Sequence, residues 1–215
     1  MSSLRRKQGF LVVISGPSGA GKNTVVNELG KRLDRIRYSV SATTRPPGPG
    51  EVDGVHYDFV THDEFQEMRE AGELLEWATV YGNFYGTPRR FIEETTAEGY
   101  DVILDIDIQG ARQVRSRWPA GIFVYLMPPS MEELWRRICA RGRDSRDAIN
   151  SRFNLAWDEL EAVFDYDYVV VNSNLDEAVD NLRAIITAER SKVARCDLVG
   201  FIKNLKTNRR CNSSE

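Results

Sequence analysis

Residues 10–33, FLVVISGPSGAGKNTVVNELGKRL, constrain the fold more than any other stretch of the chain. The run FLVVIS at 10–15 is apolar and rich in β-branched side chains, which predicts a buried strand. Beyond the loop, KNTVVNELGKRL carries apolar residues at helical spacing. A strand, a glycine-rich turn and a helix in that order form the context in which Gly-x-x-x-x-Gly-Lys binds phosphate, and Gly16, Gly21 and Lys22 fill its fixed positions. Gly16, Gly19 and Gly21 permit backbone conformations that let successive N–H groups converge on phosphate oxygens. The N-terminus of the following helix adds partial positive charge, and Lys22 places a point charge where the terminal phosphates lie. Gly16, Pro17, Ser18, Gly19, Ala20, Gly21, Lys22, Asn23 and Thr24 are therefore the candidate residues for binding nucleotide phosphates. The motif ordinarily closes on a Ser or Thr whose hydroxyl reaches Mg²⁺; here that residue is Asn23, and Thr24 is turned about 100° away along the helix. An amide oxygen is a poor Mg²⁺ ligand. Because the ion keeps several waters and binds mostly through substrate phosphates, the change weakens the metal site without emptying it.

The rest of the chain supplies the remainder of a parallel sheet. DVILDI at 101–106, GIFVYLM at 121–127 and YDYVVVN at 166–172 are short apolar runs separated by helix-period segments. Helices are expected at about 22–32, 88–98, 108–117, 130–141, 147–163 and 174–190. Between Ser39 and Gly86 the texture alternates and is rich in turn residues, aromatics and hydroxyls, which predicts an inserted, mostly β lobe. The last stretch reads as a short helix followed by a basic, frayed tail. At 215 residues, one domain with insertions is expected. The apolar run Phe10 to Ile14 is too short for a signal peptide or a membrane span. Three cysteines with no C-x-x-C pair suit a reducing cytoplasm better than a disulfide framework or a zinc site. A net charge of −3 argues against a general nucleic-acid binder, so any anion site must be local. No membrane or nucleic-acid partner is expected.

In order and spacing, GPSGAGKNT, SVSATTRPPGPGEVDGVHYDF, LLEWATVYGNFYGT, ILDIDIQG, PPSMEELWRRICARG, INSRF and VVVNSNLDEA closely resemble a bacterial-type guanylate kinase over about residues 8–190. The resemblance implies an α/β fold, a P-loop NTPase core whose parallel sheet is flanked by helices, at 8–38, 87–141 and 153–190. It also implies a β-rich GMP-binding lobe at 39–86 and a mobile helical lid at 142–152, with the C-terminal helix and tail at 191–215. The implied reaction moves the ATP γ-phosphoryl to GMP, with dGMP expected alongside and Mg²⁺ as the cofactor. A homodimer is the assembly it allows.

On this resemblance Glu76, Ser41 and Thr87 match the guanine contacts. The chemistry agrees: a carboxylate suits the N1–H and 2-amino donors of guanine, whereas adenine would present a lone pair to it. Arg45, Tyr57 and Tyr85 match residues that hold the GMP phosphate, with aromatic packing as the alternative for either tyrosine. Family members commonly carry a second arginine three residues after the first; here that position is Gly48. Weak GMP binding is then expected unless another arginine, Arg89 or Arg90, reaches in. Asp105 and Asp107 end a predicted strand, where open α/β sheets place ligands. By resemblance both lie near the acceptor nucleotide and the water shell of the metal, Asp105 being the stronger candidate. Asp107 has a second reading as the cap of the following helix. Arg137, Arg141 and Arg152 match phosphate-clamping arginines of the lid and its hinges, and with Lys22 and Arg45 they are the candidate catalytic residues. Asn172 matches an adenine-side contact, with Ser173 where Asp is frequent. His56 and His62 read as surface residues. The rival reading is a catalytically impaired interaction module of the same fold, against which stand the retained loop lysine and lid arginines.

Overall fold

The computed structural model describes residues 6–80, 82–140 and 146–211. In chain order the elements are β1 (Leu11–Ser15), α1 (Lys22–Arg32), β2 (Ile36–Tyr38), β3 (Ser41–Thr43), β4 (Tyr57–Phe59), α2 (His62–Glu70), β5 (Leu74–Val80) and β6 (Asn83–Pro88). There follow α3 (Arg89–Ala97), β7 (Asp101–Asp105), α4 (Ile108–Arg117), β8 (Ile122–Met127), α5 (Met131–Cys139), α6 (Arg146–Glu159), β9 (Tyr168–Val171), α7 (Leu175–Arg190) and α8 (Leu198–Cys211). A 3₁₀ segment, Leu160–Asp165, continues α6, where a single helix to 163 was expected.

Why the sequence of β1 is apolar at every position is plain from its place in the sheet. It lies at the centre of a five-stranded sheet ordered β2-β7-β1-β8-β9, in which every pairing is parallel. Successive side chains go to opposite faces. Val12 and Ile14 join Val25 and Leu29 of α1 and Leu182 and Ile186 of α7. Leu11 and Val13 join Ile92 of α3 and Val114 of α4. With both faces covered, no polar position is tolerated until Ser15, where the chain leaves the sheet. The carboxyl ends of β1 and β7 thus open at one edge, the place where such sheets take ligands.

The insert forms a second sheet, ordered β4-β3-β6-β5. It is less purely β than its alternating texture predicts, because α2 lies within it. Thr61 and Glu64 close a capping box, each side chain accepting from the other's backbone N–H. Phe65 of α2 then fills a small core with Ala42 and Leu74 and stacks on Phe84 at 5.3 Å. The C-terminal expectation also changes: Lys203 and Lys206 lie inside the fourteen-residue α8 rather than in a tail beyond a short helix. Two hydrogen-bonded seams fix the insert to the core. Gln113 of α4 accepts from Trp77 N–H at 3.3 Å and donates to its carbonyl at 2.9 Å, while Arg117 donates to the carbonyls of Leu74 and Leu75. At the far end of the sheet the buried Asp101 accepts from Arg6 at 2.6 Å and from Arg190 at 2.7 Å, tying both ends of the domain to β7. No described helix is long and apolar enough to cross a membrane.

Candidate active site

The loop between β1 and α1 is shaped by close approach. A Cβ at Gly16, φ +148°, would lie 2.2 Å from the Leu126 carbonyl of β8, so only glycine lets the loop leave the sheet here. Gly21, φ +92°, is the residue that caps α1, and it offers no side chain to the N–H groups of the first turn. These open donors and the helix dipole make an anion site. The outer side of the loop is braced. Asn172 Nδ2 donates to the Ala20 carbonyl at 2.8 Å, and Arg137 donates from Nη2 to the Asn172 carbonyl at 2.9 Å and from Nη1 to Ala20 at 3.4 Å. Glu133, held down to about pKa 2 by Arg136 and Arg137, fixes the Nε of Arg137 at 2.7 Å. Gly19, Gly21, Thr24, Arg137, Asn172, Ser173 and Leu175 line a cavity of about 320 Å³ against the loop. Asn23 and Thr24 are both exposed.

Two carboxylates feel the charge of the lysine. Lys22 Nζ donates to the Gly16 carbonyl at 2.9 Å. Burial pushes the Asp105 carboxyl up, and the neighbouring Lys22 charge opposes that shift. Glu159, at the end of α6, is likewise pushed up by burial; Lys22 opposes the shift, Asp107 adds to it, and the Ser18 N–H bonds the carboxylate. No sequence signal marks Glu159, one acid among several on a helix 137 residues from the loop lysine in a separate motif; only the folding of α6 against the loop brings it there. Asp107 accepts from Gly110 N–H at 2.7 Å and caps α4, the second of its two readings.

In the inserted lobe, Glu76 of β5 and Thr87 of β6 are paired in register. The Thr87 hydroxyl donates to Glu76 Oε1 at 2.6 Å. Glu76 is 6% exposed, and burial pushes its carboxyl up to about 7, with Asp107 adding to the shift and Thr87 and Arg117 opposing it. The capped end of α4 abuts this carboxylate: a Cβ at Gly110 would lie 2.9 Å from Glu76 Oε2 and 3.3 Å from Asp107 Oδ1. Ser41 of β3 is half-buried opposite Tyr57 in the ladder. Tyr57 and Tyr85 pack edge to face at 6.0 Å, and both also address Arg45: its guanidinium lies 5.4 Å from the Tyr57 ring and its Nε donates to the Tyr85 hydroxyl at 3.2 Å. Aromatic packing, the alternative reading of these tyrosines, is thus present, and it is the same packing that surrounds Arg45.

Both arginines offered as substitutes at position 48 pair within α3. Arg90 is 86% exposed and pairs with Glu94, and Arg89 pairs with Glu93. Arg152 is half-buried on α6, which packs on α5 through Leu134, Ile138 and Ala156. Arg141 lies outside the described residues. His56 and His62 are exposed. Among the described residues no group of three or more His, Cys, Asp or Glu could hold a metal ion by itself.

A family model described as guanylate kinase matches residues 8–189. A guanylate kinase of Desulfitobacterium hafniense is 52% identical over 192 residues, 89% of this chain and 96% of the relative. One of Halalkalibacterium halodurans is 50% identical over 192 residues, 89% and 94% of the respective chains. The crystal structure of a guanylate kinase from Anaplasma phagocytophilum superposes with a TM-score of 0.71 at 37% identity, covering 91% of this chain and 93% of that one.

Proposed function

The chain belongs to the guanylate kinase family, and from that premise we propose how its residues carry out ATP-dependent phosphorylation of GMP. The activity is that of a nucleoside monophosphate kinase: GMP accepts the γ-phosphoryl of ATP, giving GDP and ADP. The loop at 16–24 binds the ATP phosphates through the uncapped N–H groups of α1 and through Lys22, which exchanges the Gly16 carbonyl for phosphate oxygen. Asn172 and Arg137 keep the loop in its anion-binding shape.

The acceptor lies in the inserted lobe. Glu76 takes the N1–H and 2-amino donors of guanine, and Thr87 and Ser41 attend to O6. The observation that carries this reading is the buried Glu76–Thr87 pair, because a carboxylate with so little water needs a donor, and guanine offers two. Arg45, Tyr57 and Tyr85 hold the phosphate. This set addresses base and phosphate, so dGMP is expected to serve as well.

No general base is needed, since the attacking phosphate oxygen is already ionised. Alignment and charge neutralisation remain. Lys22, Arg137, Arg141 and Arg152 surround the transferring group, and Arg45 positions the acceptor. The donors beside the loop, Asp105 and the neutral Asn23, fit a Mg²⁺ carried by the phosphates of ATP rather than one caged by protein. When bound, that ion would offset negative charge on the phosphates. The cytoplasm, where purine nucleotides are used, is the expected location.

A coupled ADP-release assay with GMP, dGMP, AMP, CMP and UMP tests the reading. Activity confined to the two guanine nucleotides is expected. Turnover of none of them at saturating Mg-ATP would point instead to an interaction module.

A further inference from the structure

Glu51 belongs to none of the residue sets assigned above, yet it holds the guanidinium on which the acceptor phosphate depends. Its Oε1 accepts from Arg45 Nη2 and its Oε2 from Arg45 Nη1, both at 2.9 Å. Two parallel bonds of this kind use the fork that a phosphate would need. Oε2 also accepts from the Gly48 N–H at 2.6 Å. The remaining contacts hold Arg45 independently of Glu51: Nε donates to Tyr85 and Nη1 to the Pro46 carbonyl at 2.8 Å. The pair is partly exposed, 28% and 25%, so the Glu51 side chain has solvent to move into.

Gly48 makes the arrangement particular to this chain. A Cβ at 48 would lie 3.1 Å from Glu51 Oε2 and 3.6 Å from Arg45 Nη1, so a cationic side chain rooted there would start beside the carboxylate. Glycine offers only its amide. We propose that Glu51 competes with the GMP phosphate for Arg45, and that with glycine at 48 this competition sets the affinity for the phosphate end of GMP. The inference rests on the reading of Arg45 as a phosphate contact. An incoming dianion meets an occupied fork and a like charge; it gains two bonds from Arg45 only after Glu51 has rotated away, while Tyr85 keeps the guanidinium in place.

The test is Glu51→Gln, which keeps an acceptor for the Gly48 amide and removes the charge. KM for GMP should fall about threefold or more with kcat within about twofold, in line with the loss of a partly exposed ion pair that binding must break. The Ki of guanosine, which carries the base without the phosphate, should stay constant. Glu51→Ala should move KM in the same direction, and Gly48→Arg should lower KM in the wild type but less in Glu51→Gln. An unchanged or raised KM in both Glu51 variants, with unchanged melting temperature, overturns the proposal and makes Glu51 a residue that orients Arg45. Arg45→Lys separates the premise: if it leaves KM for GMP unchanged, Arg45 is no phosphate contact and the proposal falls with it, whatever Glu51 does.

Discussion

At the scale of single residues, Glu76 has a measurable pH signature. Its carboxyl titrates near 7 in the empty protein, against 4.5 when exposed. Guanine recognition requires the ionised form, so binding should weaken as pH falls below about 7, approaching tenfold per pH unit. Guanosine inhibition measured from pH 8 to pH 5.5 isolates this from titration of the phosphate; a flat Ki would remove Glu76 from the base site. Stability shows the opposite sign. A carboxyl raised in the folded state favours folding in its protonated form and loses that advantage as pH rises from 4.5 through 7, a cost of about 3 kcal/mol above that window. Glu76→Gln should therefore raise Tm at pH 8 far more than at pH 5, while abolishing selection of GMP over AMP. Asn23 makes a second residue-scale prediction. Asn23→Ser restores a hydroxyl ligand and should lower the Mg²⁺ concentration for half-maximal rate about fivefold, the equivalent of one modest bond. No shift would mean that the phosphates alone hold the ion.

At the scale of elements, the phosphate loop depends on a helix and a strand far from it in sequence. Arg137 of α5 reaches both the loop carbonyl of Ala20 and the carbonyl of Asn172 just beyond β9, with Glu133 setting its direction. It therefore braces the loop before any nucleotide arrives. Arg137→Ala should reduce kcat by about 10²–10³, the usual loss for one preorganised donor at developing charge, and should also raise KM for ATP because the brace is gone. Arg137→Lys should keep part of the charge but not the two-carbonyl span, so a substantial loss should persist. If the lysine variant recovered full rate, charge alone would be the contribution. The sequence made α5 legible through its spacing, and α1, α3, α4 and α7 as well, because each buries one face, α5 against α6 and the others against the sheet. It did not make α2 legible: nine residues with one buried side chain, Phe65, give too little periodicity against a background of alternating strands.

At the scale of the molecule, the segment before β1 and the end of α7 meet on one buried charge. Asp101 is fully buried between Arg6 and Arg190. Removing one partner of such a group leaves charge without compensation, so Asp101→Ala should cost about 3–5 kcal/mol and lower Tm by roughly 6–20 °C. KM for both nucleotides should hold, since β7 presents Asp101 at the end of the sheet away from Asp105; a KM change as large as the stability change would show the two ends to be coupled. The sequence by itself determined the strand–loop–helix unit and the parallel core, because each depends on local periodicity or on residue types within a few positions. Tertiary structure alone decided that the Glu159 carboxyl feels the Lys22 charge, that Arg137 spans the carbonyls of Ala20 and Asn172, and that Glu51 occupies the fork of Arg45. The physical reason is range: backbone propensity acts over a few residues, whereas the energy of a charged side chain depends on which partners and how much water the finished fold leaves around it.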